Sequence, residues 1–283
     1  MNKALSVPAP RRATLVRSRS WLSGWLCLGL VALTALQLGG CATTGPQPTE
    51  PRTESDQTDN DRRAAVRMEL AAGYFARGQY NTALDEVKQV LMVKPNMREA
   101  LNLRGLVYAA MGETQLADEN FQRALQLFPR DADTLHNYGW MLCQQQRWAA
   151  AEAQFEQALA NPSYRAPSRT LLAKGVCEAR AGKMQDAERS LVKAFEFDPA
   201  SPAVAVNLAE VLYRNRELER ARFYIQRVNS QPEQVSAQSL WLALRIERRL
   251  GNGANVSDLS QQLRRRYAQT PETQALEAGR FDE

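Results

Sequence analysis

The sequence predicts an all-α protein: a superhelical stack of about six helix-turn-helix units, set behind an export-type N-terminus and a polar linker. Three observations carry this. Ala83, Ala117, Ala151, Ala187 and Ala221 follow one another at intervals of 34, 34, 36 and 34 residues. Gly105, Gly139, Gly175 and Ala209 keep the matching intervals, and Gly78 to Gly112 and Pro95 to Pro129 each step by 34. Within each interval apolar residues return at helical spacing while Gly and Pro supply the breaks. That is the pattern of a unit that buries both faces only against its neighbours.

The first element is the N-terminus. Residues 1–20 hold Lys3, Arg11, Arg12, Arg17 and Arg19 and no acid, and an uncharged apolar run follows from Trp21 to Leu38. This is the layout of a secretory signal, although the run is also about as long as a short membrane span. Leu38-Gly39-Gly40-Cys41 resembles the bacterial lipobox, in which small residues admit a lipoprotein signal peptidase and the cysteine receives diacylglycerol. The resemblance implies that residues 1–40 are a lipoprotein signal peptide and that Cys41 is a lipidated mature N-terminus. An uncleaved anchor, or an ordinary signal cut nearby, are the alternatives. Acyl chains contribute about 0.8 kcal/mol per buried methylene, so such a protein is held on a membrane without spanning it. Ala42 stands where an inner-membrane retention signal carries Asp, which implies the periplasmic face of the outer membrane.

Removal of the signal changes the charge. The whole chain has 36 Lys+Arg against 31 Asp+Glu, and loss of the five basic residues just named leaves 31 against 31. The net charge of +5 thus belongs to the export segment, and nucleic acid is not an expected partner. Residues 41–63 are rich in Pro, Thr and acids with no large apolar side chain. Such a stretch has nothing with which to bury a core and is expected to be a disordered tether.

The repeats follow. In the second, Leu101, Gly105 and Tyr108 form one helical stripe, Met111-Gly112 breaks it, Ala117, Phe121 and Ala124 form a second, and Pro129 ends the unit. Small residues where helices cross let backbones approach, and a bulky neighbour fills the gap. The pattern resembles the tetratricopeptide repeat, with small residues at the eighth and twentieth positions, a bulky one at the twenty-fourth and Pro near the thirty-second. On that frame the repeats span 64–97, 98–131, 132–167, 168–201, 202–235 and a degenerate 236–269, within a solenoid from 64 to 269. The third holds a two-residue insertion around Asn161-Pro162-Ser163-Tyr164, the sixth lacks the small twentieth residue, and 270–283 is expected to be a capping helix and tail.

Little here points to catalysis. His136 is the single histidine, and there is no His-Glu-x-x-His, Cys-x-x-Cys, P-loop or glycine-rich dinucleotide turn. No enzyme activity, cofactor or metal is expected. Binding is the better reading. Positions two, five, nine and twelve of each first helix form a stripe opposite the packing stripe, and in tetratricopeptide arrays that stripe lines a concave groove. It reads Met68, Ala72 and Phe75; Glu99, Asn102, Leu106 and Ala109; Asp133, His136, Trp140 and Cys143; Arg169, Leu172 and Val176; Val206, Glu210 and Tyr213. Arg180 and Arg214 stand beside it at position thirteen. Burial of a Phe, Leu or Met contributes about 1.5–3 kcal/mol, so this surface suits an apolar or amphipathic peptide. For Trp140 or Phe75 the alternative is ordinary packing between helices.

Cys143 and Cys177 fall on the first helices of adjacent hairpins. A disulfide there would close a loop of about 34 residues and add roughly 3–4 kcal/mol in the chain-entropy model. Two independent buried thiols are the alternative.

Five strings narrow the resemblance: "NYGWMLC" at 137–143, "NPSY" at 161–164, "KGVCEARAG" at 174–182, "LWLALRIERRLG" at 240–251 and "LRRRYAQTPE" at 263–272. They are similar to the PilF/PilW family of type IV pilus biogenesis lipoproteins, over about Met68 to Leu276. The resemblance implies an outer-membrane pilotin, lipid-anchored and a monomer when free, whose groove binds a secretin subunit and promotes its localisation and multimerisation. It also implies the Cys143–Cys177 bridge, because cysteine-bearing members place theirs at these points. Two alternatives differ in kind: a general periplasmic scaffold docking cell-wall enzymes or proteases, and a component of another secretion or tight-adherence pilus system.

Overall fold

The computed structural model describes residues 58–281. The expected signal, Cys41 and most of the expected tether lie outside the described residues. Twelve helices form six antiparallel hairpins: α1 (Asp59–Ala76) with α2 (Tyr80–Val93), α3 (Arg98–Ala110) with α4 (Thr114–Leu127), and α5 (Ala132–Gln144) with α6 (Trp148–Leu159). The series continues with α7 (Pro167–Arg180) and α8 (Met184–Phe197), α9 (Pro202–Arg214) and α10 (Leu218–Asn229), and α11 (Ala237–Arg249) and α12 (Gly253–Arg266). The short α13 (Pro271–Glu277) closes the stack against α11 and α12. Each odd helix touches its own even partner and the odd helix of the next hairpin, so the odd helices line one face of the superhelix.

The periodic small residues sit where the helices cross. Ala83, Ala117, Ala151, Ala187 and Ala221 are fully buried. A Cβ added at Gly105 would stand 2.8 Å from the Phe121 ring, and one at Gly139 would stand 2.8 Å from the Phe155 ring. Phe121 and Phe155 are themselves fully buried, so a methyl at either glycine forces the two helices of a hairpin apart. In the fourth hairpin Leu191 takes the place of the phenylalanine, 2.6 Å from where a Gly175 Cβ would be. The core is therefore a chain of clusters shared between neighbouring hairpins rather than one central mass.

Local signals set the ends of the helices. Asp131, Ser201 and Thr270 cap α5, α9 and α13 with their side chains, Ser236 caps α11 through a capping box, and Pro167, Pro202 and Pro271 open their helices. Each hairpin turn needs one residue in the left-handed region. Gly78, Gly112, Gly182 and Gly251 supply it with φ of 72°, 81°, 80° and 78°, but Gln146 and Arg216 adopt φ of 61° and 64°.

The expected tether extends to residue 63, whereas α1 begins at Asp59. Thr58 and Asp61 form a capping box: the Thr58 side chain accepts from the Asp61 N–H, and the Asp61 carboxylate accepts from the Thr58 N–H at 3.0 Å. Lys94 also pairs with Asp61; that contact first, then those from Thr58, hold the Asp61 carboxyl well below the usual carboxylate range. The polar composition of residues 58–63 conceals a helix start.

Candidate concave binding face

A pocket on the concave face lies toward its C-terminal end, where α7, α9 and α11 run side by side. Val176, Ala179 and Arg180 from α7, Asn207, Glu210, Val211 and Arg214 from α9, and Gln238, Trp241, Leu242 and Arg245 from α11 surround a pocket of about 360 Å³. Its floor is aliphatic and aromatic and its rim is cationic. The single acidic side chain in that lining, Glu210, accepts from Arg214 at 2.8 Å and faces Arg245 at 3.6 Å. Arg180 lies over the half-buried Trp140 ring at 5.2 Å, which extends the cationic, aromatic surface to α5.

Two larger hollows, about 640 and 660 Å³, flank Tyr164 at the loop edge of the stack. They are gaps between successive inter-repeat loops, one lined by Arg98, Arg130, Arg165, Asp131 and Asp133 and the other by Arg165, Arg169 and Asp198. Their mixed charge and loop walls make them a poorer peptide track than a face built from parallel helices. The insertion beside them is an ordered loop: Asn161 accepts from Ser163 N at 3.0 Å, donates to the Arg130 carbonyl at 2.9 Å, and Tyr164 meets Thr170 at 2.7 Å.

Toward the N-terminal end the concave face is closed by polar contacts between helices. Asn137 donates to Asn102 at 3.1 Å, and Arg169 reaches Asn137 at 3.3 Å, linking α3, α5 and α7. The Arg169 guanidinium also donates to His136 Nε2 at 3.0 Å. Arginine has no acceptor, so Nε2 must be the unprotonated nitrogen and Nδ1–H donates to Thr170 Oγ1 at 2.9 Å. Burial first, then Arg169, pushes the His136 pKa down to about 4.

Tetratricopeptide-repeat family models match residues 96–162, 139–202 and 178–244. The type IV pilus assembly protein PilF of Pseudomonas aeruginosa is 29% identical over 249 residues, which cover 88% of this chain and 97% of PilF. The solved structure of P. aeruginosa PilF superposes with a TM-score of 0.68 at 26% identity, covering 79% of this chain and 100% of that one. PilW, described as a widely conserved type IV pilus biogenesis factor, superposes with a TM-score of 0.70 at 29% identity, covering 75% and 97%. The chain is a tetratricopeptide-repeat protein that is similar to PilF and PilW over most of its length.

Within this solenoid the groove residues expected from sequence divide into four groups. Val176 and Arg180 line the open pocket, and Trp140 adjoins it. Met68, Phe75 and Leu106 are half-buried in the core shared by the first hairpins, and Leu172 packs against the later cluster; these act as packing rather than as an open surface. Asn102 and Arg169 belong to the polar ladder. His136 and Tyr213 correct the expectation outright, at 8% and 3% exposed. Tyr213 is sealed by the guanidinium groups of Arg245 and Arg249, each 4.6 Å from its ring. A disulfide joins Cys143 to Cys177 across α5 and α7, with 5.7 Å between Cα atoms.

The sequence reading missed Trp241, Arg245 and Arg248. Its sixth repeat begins at 236, but the left-handed Gly251 follows Arg216 by 35 residues rather than 34. Alignment on that turn moves the frame by one, and Trp241, Arg245 and Arg248 become the fifth, ninth and twelfth residues of the sixth first helix. The signal was present in "RLGN", where Gly251 marks the turn. Among the described residues no cluster of three His, Cys, Asp or Glu side chains is arranged for a metal, and no helix is long and apolar enough to cross a membrane.

Proposed function

We propose that this protein is a type IV pilus assembly factor, held at the outer membrane by lipid on Cys41, which captures a segment of a secretin subunit on its concave face and promotes secretin assembly. The observation that carries the reading is the near full-length similarity to PilF, together with a pocket on the same face from which peptide ligands are held in stacked helical repeats. Lipid anchoring confines the protein to the surface where the secretin must assemble. Confinement raises local concentration, so modest groove contacts suffice.

Capture of secretin from solubilised envelopes tests this. Val176→Glu with Arg180→Glu places two carboxylates at the pocket and is expected to lower capture roughly tenfold while the helical CD spectrum persists. Undiminished capture by the folded variant refutes the assignment of the face. In the same cells Cys41→Ser is expected to move the protein out of the outer-membrane fraction and to reduce secretin multimers, and unchanged fractionation refutes the anchor.

A further inference from the structure

Beyond α13 the chain turns at Gly279, with φ of 66°, and returns to α11. Three contacts hold it there. The Phe281 ring stacks on Trp241 with centroids 5.5 Å apart and 24° between planes. The Arg248 guanidinium lies 3.7 Å from the same ring centre. Arg245 Nε donates to the Phe281 carbonyl at 2.9 Å. These partners occupy the fifth, twelfth and ninth positions of the sixth repeat. The corresponding ninth positions in α7 and α9 are Val176 and Glu210, both in the lining of the open pocket, which also includes Trp241 and Arg245. The chain's own segment is thus seated at the end of the concave track, and Asp282 and Glu283 follow it in sequence.

We propose that Phe281 is a built-in stand-in for the partner's anchor, so that this end of the face takes a peptide carrying an aromatic side chain beside carboxylates, and that this peptide displaces Phe281. The proposal deepens the docking reading above and rests on it. The chemistry follows from the groups already engaged: an indole plane for stacking, a guanidinium above the ring, and an N–H for a main-chain carbonyl. Arg180 and Arg214 continue the positive charge along the pocket, where the only acid in the lining, Glu210, is already paired. Carboxylates of an incoming segment therefore meet arginines and no uncompensated acid. A tethered occupant competes at an effective concentration in the millimolar range. When it fills the site nine-tenths of the time, the apparent affinity for an external peptide falls about tenfold.

The test uses the full chain and a synthetic peptide of residues 277–283, EAGRFDE, titrated by calorimetry. Phe281→Ala is expected to bind this peptide at least about tenfold more tightly than the unaltered chain. Arg248→Ala added to Phe281→Ala, or Ala in place of Phe in the peptide, is expected to abolish binding, with the CD spectrum reporting intact helices. Equal binding to the unaltered chain and Phe281→Ala, or no binding to the folded variant, overturns the proposal. Secretin capture separates the two readings. Capture by the unaltered chain that does not rise in Phe281→Ala overturns this inference and leaves the docking reading standing. Peptide binding by Phe281→Ala with no secretin capture by any form overturns the docking reading and leaves the aromatic and acidic preference of the face intact.

Discussion

Acidification tests whether His136 is an uncharged structural group. Its two ring nitrogens are both engaged between α5 and α7, and burial with Arg169 beside it lowers its pKa to about 4, against about 6.5 in an unfolded chain. Above pH 6.5 the ring is neutral in both states and contributes no pH dependence. As the pH falls below 6.5 the unfolded chain takes up the proton first, so stability is lost until about pH 4, where the folded state also protonates. Between about pH 7.5 and pH 5 this one residue removes about 2 kcal/mol, and about 3 kcal/mol in full once the pH is below 4. Urea unfolding followed by helical CD at both pH values, for the native chain and His136→Gln, measures it. Asp61 and Glu99 also have lowered pKa values, but they are present in both proteins, so the difference between the two pH responses isolates the histidine. An equal loss in native chain and variant refutes the assignment.

Two further outcomes follow from the geometry. Cys143→Ala with Cys177→Ala opens the bridge between α5 and α7 and is expected to lower the unfolding free energy by about 3–4 kcal/mol for a loop of this length. An unchanged urea midpoint would show that the bridge does not constrain the unfolded chain. Arg216→Gly and Gln146→Gly each relieve a left-handed residue at an exposed hairpin turn and are expected to raise stability by roughly 0.5–1 kcal/mol, the left-handed penalty less the entropy cost of glycine. A fall in thermal midpoint in either variant contradicts that account.

Much of the architecture is written locally. The glycines and alanines at helix crossings, Phe121 and Phe155 opposite them, and the prolines that open helices each specify their own few residues. They recur often enough to declare a stacked hairpin fold. The helix start at Thr58 was equally local, but it was masked by a polar composition that reads as linker. The binding face was less legible. The reading of positions two, five, nine and twelve found Val176 and Trp140, with Arg180 beside them at position thirteen, yet it also selected His136 and Tyr213, which the structure seals.

The sequence alone determined that the described chain is a run of helical hairpins, because the features that form a helix, end it and let another cross it lie within one turn or one repeat. Tertiary structure decided which of the inward side chains remain accessible. His136 is closed by Arg169 and Thr170, and Tyr213 by Arg245 and Arg249, all from the next hairpin. It also decided the frame of the sixth repeat, where a slip of one residue rotates the exposed stripe by about 100° and exchanges Leu240 for Trp241. Finally, it seated Phe281 on that tryptophan. Helical periodicity is a local property, whereas accessibility depends on what a neighbouring helix places across the gap.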